Sequence, residues 1–298
     1  MSETTSTPGY DIAYQGAPGA FSEDAALTYA SRAELIGPRL LPCPRLDQVF
    51  DAVALGRAVV GVVPIENTLA GSVQVCYDLL RERDLTITGE LVRRISHALV
   101  ARPGVRIGDL KRVLSHPVAL AQCTEFFRQH PGLEVVAVYD TAGAVSQVIE
   151  SGSVTDAAIA GRRTAVVYDG EVLAAPLEDD PENYTRFLVV EPMSERIGST
   201  AVEPAACKTS VVFTLANRPG ALHAALRHLA EHGIDLSLIE SRPRRGRPFE
   251  YAFYVDLAGH ADVAPLDIAL DGVRTESLSL DVLGSYLRQR DLPAPGGS

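Results

Sequence analysis

The sequence predicts an α/β chain in two unequal parts: a larger region of alternating strands and helices, then a smaller βαββαβ unit. Three observations lead there. A length of 298 residues corresponds to two domains at roughly 150 residues each. Up to about residue 190, short apolar runs alternate with amphipathic stretches, the pattern of largely parallel sheets covered by helices. After EPMSERIGSTAVEPAAC (191–207), rich in Pro, Ser, Glu and small residues and therefore a linker, the order changes to strand, helix, strand, strand, helix, strand.

The elements follow in order. IAYQG (12–16) is a strand and AFSEDAALTYA a helix. LDQVFDAVALG (46–56) spaces its apolar residues by three and four, as a helix does. AVVGVVP (58–64) is a continuous apolar run, as in a buried strand. SVQVCYDLLRER reads as a helix, and LTITGELV and ISHALVA as strands. A second set comprises RVLSHP (strand), ALAQCTEFFRQH (helix), LEVVAVYD (strand), TAGAVSQVIESG (helix) and DAAIAG (strand), and TRFLVV (185–190) is the last strand before the linker. Two sets predict two lobes with a cleft between them, about 10–92 with 183–190, and about 95–180.

Beyond the linker, KTSVVFTLA (208–216) is a strand. PGALHAALRHLAEHG (219–233) is a helix with Pro near its start and Gly at its end. IDLSLIESRP and FEYAFYVDLA are strands on either side of RPRRGRP, VAPLDIALDGV is a helix and SLSLDVLGSY a strand. That order is the ferredoxin-like split βαβ arrangement, over 208–286. A Pro/Gly tail, LPAPGGS, reads as disordered.

Composition excludes several classes. Apolar residues make up 46% and charged residues 22%, the balance of a soluble globular protein. No apolar run approaches the roughly 20 residues of a membrane span. The N-terminus, MSETTSTPGY, has no signal-peptide core, so a cytoplasmic location is expected. A net charge of −11 argues against a nucleic-acid partner. Residues 208–298 carry 10 basic and 11 acidic groups, which leaves 17 and 27 for the first 207, so the charge sits on the larger part. Only two of the basic residues are lysines, Lys111 and Lys208. Cys43, Cys76, Cys123 and Cys207 form no metal-binding spacing and read as buried thiols. No metal and no cofactor is expected.

Four segments of the larger part and two of the smaller carry candidate chemistry. In VVPIENTLAGSV (62–73) an apolar strand ends in Glu66 and Asn67 before a turn, where ligands of open α/β sheets bind; equally, Asn67 or Thr68 could cap a helix. In SHPVALAQC (115–123) Ser115 and His116 end a strand before a helix that starts with Pro117, so a helix-start anion site and capping by Ser115 both fit, and His116 could act as an acid. In YDTAGAV (139–145) Thr141 follows a strand end, and Asp140 or Thr141 could cap. In NYTRFLVV (183–190) Arg186 could grip a carboxylate and Thr185 donate a hydroxyl proton, although adjacent strand residues face opposite ways, so both meet one ligand only if the segment is irregular or sits at a lobe junction. In the smaller unit, NRPGALHAAL and LIESRP could hold a small amino acid or be turn chemistry, and the Arg-rich RPRRGRP reads as a solvated loop.

Taken together, YQGAPGAFSEDAA, VVPIENTLAGSV, SHPVALAQC, NYTRF, KTSVVF, RPGAL and IESRP resemble the prephenate dehydratase family followed by an ACT regulatory domain, from about Tyr10 to Tyr286. The resemblance implies a two-lobed catalytic region like periplasmic binding proteins (10–190) plus the ferredoxin-like ACT domain. It implies conversion of prephenate to phenylpyruvate, with Thr185 catalytic and Arg186 at a substrate carboxylate. It places Asn183, Phe187, Glu66, Asn67, Ser115, His116 and Thr141 at the substrate. It implies L-phenylalanine as effector, bound near Asn217, Gly220, Ala221, Leu222 and Glu240, Ser241, Arg242, Pro243. A homodimer or homotetramer joined through ACT domains, with no chorismate mutase segment, is expected. The chain departs from the family pattern at Val118 (usually polar), Asp140 (usually Ser), Leu238 (usually basic) and in the helix after GRRTAV. Arogenate as substrate, or a non-catalytic bilobal solute binder, are the alternatives.

Overall fold

The computed structural model describes residues 8–193 and 203–289, apart from 245 and 248. Most of the expected linker and all of the Pro/Gly tail lie outside the described residues.

The chain starts with β1 (Tyr10–Gln15), α1 (Phe21–Arg32), β2 (Leu40–Cys43), α2 (Leu46–Ala54), β3 (Ala58–Asn67), β4 (Gly71–Ser72), α3 (Gln74–Glu82) and β5 (Leu85–Arg94). It continues through β6 (His97–Ala101), β7 (Arg112–Ser115), α4 (Pro117–Ala121), α5 (Thr124–Gln129), β8 (Glu134–Ala137), α6 (Thr141–Ser151), β9 (Asp156–Gly161), α7 (Arg163–Val167), β10 (Glu171–Ala174) and β11 (Tyr184–Pro192). The last part holds β12 (Cys207–Thr214), α8 (Ala221–Glu231), β13 (Leu236–Pro243), β14 (Tyr251–Ala258), α9 (Leu266–Glu276) and β15 (Ser279–Leu287).

One sheet runs β2-β1-β3-β11-β5, with β4 hairpinned onto β3. The second runs β10-β6-β9-β7-β8. The inner strands β6, β9 and β7 are buried on both faces because alternate residues serve different cores: Leu99, Ala101, Val113 and Ile159 pack with α4 and α5, while Ala98, Val100, Leu114 and Ala158 pack with α6 and α7. The expectation of largely parallel strands holds for β1 with β2 and β3, and for β7 with β8 and β9. It fails at β6, antiparallel to both β9 and β10. This strand enters directly from β5, with no crossover helix to turn it parallel. The expected helix ALAQCTEFFRQH is two, because the Asp179 carboxylate accepts from the Thr124 and Glu125 N–H groups (2.8 and 2.9 Å) and starts α5 afresh.

The chain divides into two compact units. One holds the described residues through Val73 with Leu91–Phe187; the other holds Gln74–Glu90 with the described residues of Leu188–Arg290. In the second unit an antiparallel sheet, β13-β14-β12-β15, carries α8 and α9 over Val211, Phe213, Val255 and Leu257. This is the expected βαββαβ unit. Residues assigned from sequence to the catalytic region also belong to it. Lys208 Nζ meets Glu90 Oε2 at 2.8 Å, Arg242 reaches Asp78 at 3.1 Å, and the Tyr77 and Tyr254 rings meet edge to face at 5.1 Å. Thr86 donates to the Leu283 carbonyl. Gly284 is a necessary glycine, since a Cβ there would lie 2.0 Å from the Ile87 carbonyl oxygen.

Candidate active site

The end of β3 does not start a helix, as one sequence reading had it. Glu66 and Asn67 pair with Ser72 and Gly71 across a hairpin, and α3 begins only at Gln74. Asn67 closes that turn: its Oδ1 accepts from the Leu69 and Ala70 N–H groups at 3.0 and 2.8 Å. Those two bonds fix which end of the amide is which. Nδ2 therefore faces the start of β11, where it donates towards Asn183 Oδ1 (2.8 Å), Thr185 Oγ1 (3.0 Å) and the Tyr184 carbonyl (3.1 Å). Thr68 adds a clamp, its hydroxyl donating to the Glu182 carbonyl and accepting from the Tyr184 N–H.

Thr185 is buried, 9% exposed, and Asn183 completely so. The Thr185 hydroxyl accepts from Asn67, which leaves its own proton free to donate elsewhere. The second bond of Asn183 runs from Nδ2 to Gln122 Oε1 (3.0 Å), and that oxygen also meets His97 Nε2 at 2.9 Å. Gln122, His97, Asn183, Asn67 and Thr185 thus form one hydrogen-bonded chain, with His97, Asn183 and Thr185 buried and Gln122 and Asn67 half-buried.

The other expected residues are placed as follows. Ser115 is fully buried and donates to the Ile159 carbonyl at 2.6 Å, so it ties β7 to β9 and does not cap α4. His116 is the cap, its Nδ1 accepting from the Val118 N–H. Thr141 opens α6, whose cap is Asp140 bonded to the Gly143 N–H. Asp140 is therefore spent on the helix start. Phe187 is 1% exposed, with its side chain in the core. From Tyr184 to Pro192 β11 is one continuous strand, so Thr185 and Arg186 leave opposite faces; its start lies at the junction of the two expected lobes, where Asn183 bonds both Asn67 and Gln122.

Sequence reasoning missed Gln122, His97 and a second cluster around Glu23. The Glu23 carboxylate is 7% exposed and accepts from Tyr14 Oη (3.2 Å), the Gly19 N–H (2.8 Å) and Arg163 Nε (3.0 Å). It folds the GAPG loop against α7, where a Cβ on Gly19 would lie 2.9 Å from the Thr164 methyl. Burial, then the nearby Glu23 carboxylate, pushes the Tyr14 phenol upward, so it stays a donor. A Glu in the first turn of a helix is too ordinary to have signalled this. Gln122 had one signal, a polar residue inside an apolar helix pattern.

In the second unit, Gly220 caps α8 with φ of +78°, and Ala221 and Leu222 follow it. The register pairs Ala252 of β14 with Thr214 on one side and with Arg242 on the other. The sheet thus places Asn217–Leu222 and Glu240–Pro243 towards the same end.

The prephenate dehydratase family pattern matches residues 12–195, and the ACT domain pattern matches 209–267. The chain belongs to the prephenate dehydratase family. Its reaction is the decarboxylating dehydration of prephenate, that of a carbon–oxygen lyase. A bifunctional chorismate mutase/prephenate dehydratase of Pseudomonas aeruginosa is 37% identical over 277 residues, which cover 92% of this chain and 72% of that one. A prephenate dehydratase of Arthrobacter aurescens, solved in complex with L-Phe, superimposes with a TM-score of 0.85 at 33% identity, covering 95% of this chain and 92% of that one. A structure described as a novel type of quorum quenching acylase superimposes with a TM-score of 0.83 at 36% identity, covering 94% and 98%. Plant relatives carry names that join arogenate and prephenate dehydratase. Among the described residues no helix is long and apolar enough to cross a membrane, and no group of three or more His, Cys, Asp and Glu could hold a metal ion.

Proposed function

We propose that Thr185 supplies the hydrogen bond that carries the leaving hydroxyl out of prephenate, with Asn67 as the group that aims it. The carrying observation is the direction of the Asn67 amide, which gives a hydrogen to Thr185 and so leaves the threonine proton for the substrate. In the reaction the electron pair of the ring–carboxylate bond moves into the ring as carbon dioxide leaves. The hydroxyl departs from the opposite ring carbon, and its oxygen takes up a proton to leave as water. A donor held beside that oxygen is worth roughly a hundred- to ten-thousandfold. The near-complete burial of Thr185 strengthens the interaction, since few water dipoles compete. A threonine hydroxyl is a weak acid, so it serves as donor or relay.

Glu66, His116 and Thr141 line the substrate in this proposal, Ser115 ties β7 to β9 next to His116, and Arg186 reaches a carboxylate from the other face of β11 at the lobe junction. Thr185 is not an acyl-transfer nucleophile in this reading: that role requires a base on the hydroxyl, and Thr185 Oγ1 is met by an amide nitrogen. L-phenylalanine is the effector, held by Asn217–Leu222 and Glu240–Pro243, and it acts by favouring one of two conformations. The domains run 10–190 and 208–286 about a linker, with Gln74–Glu90 of the first packed into the compact unit of the second. The exposed edge position of β13 in its sheet supports a homodimer or homotetramer through ACT domains. Four free, buried cysteines support a reducing, cytoplasmic location.

The test is turnover of prephenate beside arogenate, with and without L-phenylalanine, for the wild type, Thr185→Ala and Thr185→Ser. The alanine variant is expected to lose turnover far more than binding, and the serine variant to keep part of it. Near-normal turnover in Thr185→Ala would remove Thr185 from the mechanism.

A further inference from the structure

His97 has no part in the mechanism above, yet it is the far end of the chain that reaches Thr185. Its ring is 2% exposed, set edge-on to Phe21 at 5.6 Å. Among the described residues its Nδ1 has no hydrogen-bond partner, while its Nε2 lies 2.9 Å from Gln122 Oε1. A buried, half-satisfied imidazole costs stability where an aliphatic side chain would not. Such a group needs an explanation, and the bond it does make supplies one.

The orientation of every amide in the chain is set in sequence. The Leu69 and Ala70 N–H groups fix Asn67. Asn67 Nδ2 fixes Asn183, because only an oxygen can accept from it. Asn183 Nδ2 in turn requires an oxygen from Gln122. Gln122 Oε1 can only accept, so the ring must carry its hydrogen on Nε2 and leave Nδ1 bare. With two donors, the two lone pairs of Gln122 Oε1 are filled and the amide is locked. Without the imidazole, Gln122 can flip and present an NH2 to the Asn183 NH2. Asn183 must then turn, and Asn67 loses the acceptor that holds it beside Thr185.

We propose that His97 is a positioning residue for the dehydration, its Nε2–H holding Thr185 in place through Gln122, Asn183 and Asn67. The proposal rests on the role assigned to Thr185 and adds a residue that never touches substrate.

The test uses the full-length protein with His97→Leu and His97→Gln, assayed on prephenate beside Thr185→Ala. A misaimed hydroxyl costs about a hundredfold in rate, so His97→Leu is expected to lower kcat on that scale while KM stays within about threefold. His97→Gln, whose amide nitrogen can donate at the Nε2 position, is expected to recover most of that loss. Wild-type kcat in His97→Leu, with Thr185→Ala inactive, overturns this inference and leaves Thr185 in place. An active Thr185→Ala overturns the earlier assignment instead. Equal losses in the leucine and glutamine variants would show that the hydrogen bond is not what matters, and would also overturn the inference. Nitrogen NMR of the wild-type imidazoles decides independently of whether the variants fold. A neutral Nε2–H ring supports the proposal, and an Nδ1–H ring refutes it.

Discussion

Asn67 Nδ2 stands 3.0 Å from Thr185 Oγ1 while the other end of the same amide is held by two backbone N–H groups. A side chain with the same shape but no hydrogen to give would reverse that bond. In Asn67→Asp the carboxylate accepts from Thr185 and turns the hydroxyl proton inward. kcat on prephenate is expected to drop by a factor of roughly a hundred to ten thousand, with the Thr185 oxygen still in place. Asn67→Asp with more than half of the wild-type kcat would show that the direction of this bond is irrelevant.

Arg242 lies in the segment expected to hold the effector, and Asp78 of α3 grips its guanidinium at 3.4 and 3.1 Å. Both side chains are about four-fifths covered. An effector carboxylate would compete with Asp78 for the same cation. Asp78→Asn is therefore expected to lower the L-phenylalanine concentration for half-maximal effect by about fivefold or more, with turnover unchanged in its absence. A titration that superimposes on the wild type would dissociate the ion pair from regulation.

Lys208, one of only two lysines, is buried against Glu90, whose side chain is 2% exposed and whose second oxygen accepts from the Gln289 N–H. Lys208→Met strands that carboxylate. The expected loss is about 3–5 kcal/mol in urea unfolding, most of it restored by adding Glu90→Gln. Additive losses in the double variant would mean that the two groups do not stabilise one another.

Burial holds the His97 ring below the usual imidazole pKa, against smaller upward pulls from the Gln122 bond and the Glu178 carboxylate. Glu178 faces the His97 N–H and is itself paired with Arg94 at 3.2 Å. An unfolded chain takes up this proton near pH 6.5 and the folded one does so only at lower pH. Stability from this group is thus present above pH 6.5 and lost as pH falls through the folded value, by at most about 1.4 kcal/mol per pH unit. Melting temperatures at pH 5, 6 and 7 are expected to fall less steeply for His97→Gln than for the wild type. Identical slopes would place the titration elsewhere.

Periodicity was enough for the smaller unit, because its helices bury one stripe and its edge strand β13 alternates from Leu236 to Pro243, while β12, a central strand, is buried along its whole length. It was not enough at Asn67, where Asn-Thr before Gly-Ser reads equally as a helix start and as the hairpin it is. The partners of Thr185 could not be read locally either: Gln122 and Asn183 are distant in the chain, and an amide carries no sign of which end faces what. Nor does the amphipathic pattern of α3 say which surface its apolar stripe meets. That is why Gln74–Glu90 were assigned to the catalytic region and are found packed with the β12–β15 body.

The floor supplied by Gln74–Glu90 makes the regulatory unit a poor cassette. A gene fusion joined within 191–207 would keep Asp78 and Glu90 but bring in a domain without the Lys208 and Arg242 that meet them here. It would also set a foreign backbone over Ile87, where only a glycine such as Gly284 fits. Changes of effector in this chain are then more accessible through substitutions inside the existing domain than through exchange of the whole module.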